Sequence, residues 1–130
     1  MKLTINEIEK KVRAIQKIMR LENYQIEIKV IKDENCFARV ETNVKRNIAT
    51  IEFNIVLLSK YNEQELIDTI FHELLHIHKQ EEQDFVYQLI EKLDSKASAE
   101  IIREFYTTMD EKYTDTLARI LTALYQGDHK

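Results

Sequence analysis

One glycine and no proline in 130 residues restrict this chain before any motif is considered. Glycine supplies positive-φ turns and proline supplies stiff linkers, so both devices are nearly absent. Connections must be short or built from Asn, Asp, Ser and Lys, and Gly/Ser or Pro linkers between units are excluded. At this length one domain spanning residues 1–130 is expected, large enough for one hydrophobic core. No internal repeat or low-complexity tract divides it.

Hydrophobic residues make up 44% of the chain and charged residues 32%, with a net charge of −4. That balance suits a soluble globular protein and argues against disorder and against an electrostatic nucleic-acid binder. The basic pairs Lys10-Lys11 and Lys45-Arg46 lie among acidic or polar neighbours and read as solvated faces. The single Cys36 cannot form an internal disulfide, so nothing ties the chain to an oxidising compartment. Its strand-like setting marks it as a core thiol. The opening residues MKLTINEIEKKV lack the apolar stretch of a signal peptide, and no apolar run could span a bilayer. A cytoplasmic protein without membrane contact is expected.

Hydrophobic periodicity changes along the chain. Residues 4–20 predict an amphipathic helix: Thr4 and Glu7 form a capping-box signature, and Ile5, Ile8, Val12, Ile15 and Ile18 or Met19 share a face. Alternation then takes over at Tyr24, Ile26, Ile28 and Val30, again at Cys36 to Val44, and again at Ala49 to Leu57. Three strands separated by short polar breaks suggest an antiparallel meander. Asn62 with Glu65 opens a second helix whose apolar stripe runs from Leu66 to Ile77 and on to Leu93. A break at Asp94-Ser95-Lys96 is expected, then a helix from Ile101, then a last one capped by Thr108 and Glu111. The order is α+β: an N-terminal helix, a three-stranded antiparallel sheet, then helices.

Three of the four histidines fall within residues 72–78, and two of them belong to the segment His72-Glu73-Leu74-Leu75-His76. A spacing of four on a helix projects both imidazoles from one face, a turn apart. Both nitrogens can then reach one zinc ion at about 2.0–2.1 Å. Glu73 is rotated about 100° round the helix, poorly placed as a third ligand but well placed to take a proton from a zinc-bound water. Such a water has its pKa lowered to about 7, and Glu73 could pass the proton on to a leaving amine. His78 points elsewhere and His129 lies next to the terminus, so neither joins the site.

A third ligand is required, with the fourth position left to water. Glu82 stands at the offset used by metzincins, but that pattern reverses the chain at a glycine where this sequence has Lys79. If the helix continues, Glu82 sits roughly 9 Å further along its axis and is excluded; Glu81, Asp84 and Glu91 fail likewise. The stretch Asp110-Glu111-Lys112-Tyr113-Thr114-Asp115 resembles the later helix of the glutamate-zincins, where a Glu is the third ligand and an Asp four residues on supports a ligand histidine. The resemblance covers about residues 24–126 and points to a minimal, gluzincin-like or phage-type zincin. It implies a zincin-like fold, Zn2+ held by His72, His76 and Glu111, Glu73 as general base, and a peptide or protein substrate. Glu104 and Glu100 remain alternatives to Glu111. Asp110 replaces the Asn that usually precedes the ligand Glu, and Tyr61, Tyr106 and Tyr113 are candidates for oxyanion stabilisation by residue type alone. The alternative is a catalytically inactive zinc-binding interaction or regulatory module of the same fold.

Overall fold

In the computed structural model, residues 3–32, 35–92 and 96–128 are described. The element order is α1 (Ile5–Ile18), β1 (Gln25–Ile31), β2 (Ala38–Asn43), a 3-10 turn (Val44–Arg46), β3 (Ile48–Asn54), α2 (Ile55–Leu58), α3 (Glu63–Glu91) and α4 (Lys96–Asp128). The class is α+β with a three-stranded sheet and helices after it.

The antiparallel meander is wrong in its pairing. The strand order is β1-β3-β2, with β3 antiparallel to β2 but parallel to β1. A parallel pair needs a crossover connection rather than a hairpin, and here β2 itself is the crossover. Alternation fixes which face of a strand is buried and says nothing of its neighbour. The third strand is also shorter than residues 49–57: Asn54 accepts a hydrogen bond from Leu57 N at 3.2 Å and caps α2, so Ile55 and Leu57 are helical. Cys36 lies before β2, outside the sheet and only half-buried.

The scarcity of glycine leaves a visible mark. Left-handed backbone occurs at Arg20 and Asn47, with φ of 57° and 54°, and the one glycine lies inside α4. Asparagine tolerates that region, whereas arginine is held there against its preference. The buried Gln16 helps to hold it, donating through Nε2 to Leu21 O at 2.9 Å and Tyr24 O at 3.0 Å. Those bonds fold the chain from α1 back into β1.

One face of the sheet is buried. Ile26, Ala49, Ile51 and Phe53 meet Ile8, Val12 and Ile15 of α1 and Ile67, Ile70, Phe71 and Leu74 of α3 in a single core. Within α1, Ile5 and Ile18 are exposed, so the stripe is narrower than its apolar residues suggest, and Met19 rather than Ile18 packs against the core. Lys11 is paired with Glu63 at 2.6 Å and so joins α1 to α3. None of the helices among the described residues is long and apolar enough to cross a membrane.

α3 starts at a reciprocal capping box: Asn62 Oδ1 accepts from Glu65 N at 2.8 Å, and Glu65 Oε1 accepts from Asn62 N at 3.2 Å. Asn62→Ala removes one side of it and is expected to lower stability by about 1 kcal/mol, read as a lower urea midpoint at unchanged slope. An unchanged midpoint would deny the cap any role in holding α3.

After α3 the expected two helices are one. Ile101 and Thr108 lie inside α4, which is continuous from Lys96, and Thr108 caps nothing. Of the expected break, positions 94 and 95 lie outside the described residues. A local capping signature loses here because packing stabilises the continuous helix: Ala118, Thr114 and Thr122 are fully buried against α3.

Candidate metal centre

α3 and α4 run antiparallel side by side, and the site lies between them beneath β2, one of the two edge strands. His72 and His76, one turn apart on α3, bring their Nε2 atoms to 3.1 Å. Glu111 on α4 reaches both: Oε1 stands 2.9 Å from His76 Nε2 and Oε2 stands 3.5 Å from His72 Nε2. Donor atoms of these three residues lie within 4.8 Å of one another, a group able to hold a metal ion.

The donor set can be tested against zinc. Ligands about 2.0–2.2 Å from one centre at tetrahedral angles stand roughly 3.3–3.5 Å from one another. The edges of 3.1 Å between the imidazoles and 2.9 Å from His76 to Glu111 Oε1, with 3.5 Å from His72 to the carboxylate's other oxygen, are within a few tenths of that span. Two imidazoles and one carboxylate are also the right chemistry for a borderline ion with one position left open. The residues present fit.

The histidines are prepared for such a role. Asp115 Oδ1 stands 2.8 Å from His72 Nδ1, so a proton on Nδ1 leaves the Nε2 lone pair directed at the group; this tautomer follows from the hydrogen-bond geometry. Burial holds His76 below its ordinary imidazole range, outweighing the opposing pull of Glu111, and so favours the neutral, ligating form.

Glu73 is 6% exposed and lines the same cleft. Burial, reinforced by the Glu111 charge, pushes its carboxyl up to about 7. A carboxyl poised there can take and return a proton near neutrality. The cleft, about 440 Å³, is walled on one side by Ala38, Arg39 and Val40 of β2, an edge strand. It is open to solvent.

Other candidates separate clearly. Glu104 and Glu100 are exposed on α4, seven and eleven residues before Glu111, roughly 10 and 16 Å along its axis. Glu82 is exposed on the uninterrupted α3. His78 is no ligand, but it bonds Met19 O at 2.7 Å and ties α3 to the end of α1. Among the tyrosines, Tyr113 is 58% exposed, and Tyr106 packs edge-on against Tyr87 with its hydroxyl pushed up to about 12, chiefly by burial. Tyr61 stacks on Phe37 at 4.5 Å and lines the same pocket as His72 and Glu73.

Two features were not anticipated. Lys79 and Asp110, the departures from the metzincin and gluzincin patterns, are bonded to each other at 2.7 Å. They lock α3 to α4 directly beside Glu111. Asp68, one turn before His72, lies beside Asp115, accepts from Thr122 at 3.3 Å and is raised above the usual carboxylate range by burial. Its spacing of four from His72 was the available signal, since i and i+4 share a helix face. No family model, curated protein or solved structure matches this chain.

Proposed function

We propose that this protein is a minimal zincin-like metallopeptidase, with one Zn2+ held by His72, His76 and Glu111 and with Glu73 as general base. The observation that carries the reading is the meeting of two helical imidazoles, 3.1 Å apart, with a carboxylate from a second helix whose two oxygens stand 2.9 and 3.5 Å from them. Zinc, when bound, polarises a carbonyl and acidifies water to near neutrality.

The remaining work falls to the chain. Asp115 orients His72 through Nδ1, and the Lys79–Asp110 pair keeps the Glu111 turn of α4 docked on α3. Glu73, buried beside both histidines, accepts the proton of the attacking water and returns it to the departing amine. The outer edge of β2 can offer main-chain hydrogen bonds to an extended peptide, a recognition mode that needs no deep pocket. That suits an open cleft and a narrow natural target.

A second reading keeps the zinc without turnover, as a protein-interaction or regulatory module. It is favoured by the tyrosines: none of the three considered lines the cleft, and Tyr61, in the neighbouring pocket that shares His72 and Glu73, has its ring stacked on Phe37.

Elemental analysis tests the metal claim common to both. Wild-type protein is expected to carry about one zinc per chain. His72→Ala and Glu111→Ala should each lose most of it, Glu82→Ala should keep it, and Asp115→Ala should weaken affinity by about 10–100-fold. Full occupancy in Glu111→Ala, or zinc-free wild type after dialysis against micromolar zinc, would remove the proposed centre.

A further inference from the structure

The ligand-bearing helix has a second face. On α4, Thr114, Ala118 and Thr122 are buried toward α3, while Ile102, Phe105, Tyr113, Leu117, Ile120 and Leu124 are left 40–68% exposed. Spacings of eight, four, three and four from Phe105 to Leu124 keep these residues on one side of the helix. The stripe is about 33 Å long at 1.5 Å per residue.

At about 200 Å² per side chain, the middle of the aromatic range and an upper figure for Ile and Leu, these exposures leave at most about 650 Å² bare. The largest patch on a typical monomer is about 300–600 Å². Two such faces together give at most about 1,300 Å², at the lower end of the roughly 1,200–2,000 Å² of specific interfaces.

The positions are also arranged about a centre. Reversing the helix through Tyr113 places Ile102 opposite Leu124, and sets the half-buried Leu121, Met109 and Tyr106 opposite Phe105, Leu117 and Ile120. Self-complementarity of this kind is what a two-fold interface demands, because the same patch must meet itself. Residues 102–124 would need no such order to meet an unrelated protein.

We infer that a second copy of this chain covers the face: the protein is a homodimer in which α4 packs antiparallel on α4 about an axis near Tyr113. Glu111 and Asp115 then project from the helix away from the interface, and each copy keeps its own candidate metal centre. The inference is independent of the peptidase reading, since no metal or substrate takes part in the contact.

Sedimentation equilibrium in chelator at about 10–100 μM excludes metal bridging and reads the state directly. Wild type is expected at twice the chain mass. Ile120→Glu with Leu124→Glu, two turns or more from the metal ligands, should halve it while far-UV circular dichroism stays unchanged. For the register, Ile102→Cys and Leu124→Cys chains, each carrying Cys36→Ser, are mixed and treated with a short bis-maleimide. They should cross-link to each other far more than either does to itself. Wild type that stays monomeric overturns the inference, and if it then binds phosphatidylcholine vesicles the face belongs to a lipid surface. A dimer that survives both glutamates, or cross-linking confined to like chains, overturns it as well.

Discussion

Glu73→Gln is expected to lower peptide cleavage by about 10²–10⁴-fold while zinc content stays at the wild-type value. The amide has the carboxyl's shape and can still accept a hydrogen bond, but it cannot take a proton from water. Folding should be little affected. Burial already drives this carboxyl toward its neutral form, so a neutral amide of equal size meets an environment that suits it. Three readouts separate the possibilities: kcat/KM on an unbiased peptide library, zinc per chain, and the urea midpoint. Equal cleavage by both proteins would sink Glu73 as the base. If both cleave equally poorly while holding zinc, the non-catalytic module becomes the better account.

Phe53→Ala should be the most damaging of the core substitutions. Phe53 is 0% exposed on the central strand, flanked by Val30 in the parallel register and Ala38 in the antiparallel one. Truncating a buried phenylalanine costs about 3–5 kcal/mol, a large part of the roughly 5–15 kcal/mol that holds a domain together. A steep fall in urea midpoint is expected, with zinc affinity weakened because β2 walls the cleft and is paired to the same strand. Phe85→Ala offers the contrast: at 62% exposure it should shift stability by no more than about 0.5 kcal/mol. Similar effects of the two substitutions would show that the sheet does not organise the core.

What could be read in advance follows from how local each signal is. The 72–76 spacing, the Asn62–Glu65 box and the Glu111–Asp115 interval each lie within one or two helical turns, and each places its side chains as that spacing requires. Strand pairing is not local. Ile26, Ile28 and Val30 alternate identically whether β3 runs with them or against them, so order and direction stayed hidden. The unbroken α4 is the opposite failure, in which a correct local cue at Thr108 is overridden by a long buried seam against α3. The Lys79–Asp110 bond joins residues 31 positions apart, and only the docked hairpin reveals it. Read singly, each looked like a departure; together they are one contact.

The placement of β3 has a consequence for how the chain matures during synthesis. Both neighbours of this strand precede it, and neither bonds to the other. As translation proceeds, β1 and then β2 emerge with no backbone partner, and no ladder can form until residues 48–54 have followed them. The histidines come next, and the carboxylates of Glu111 and Asp115 later still. A nascent chain therefore carries a bare pair of imidazoles over a long stretch of elongation. Any three-ligand metal centre, and any hydrolysis that depends on it, would be postponed until the sheet and the helical hairpin have both been made.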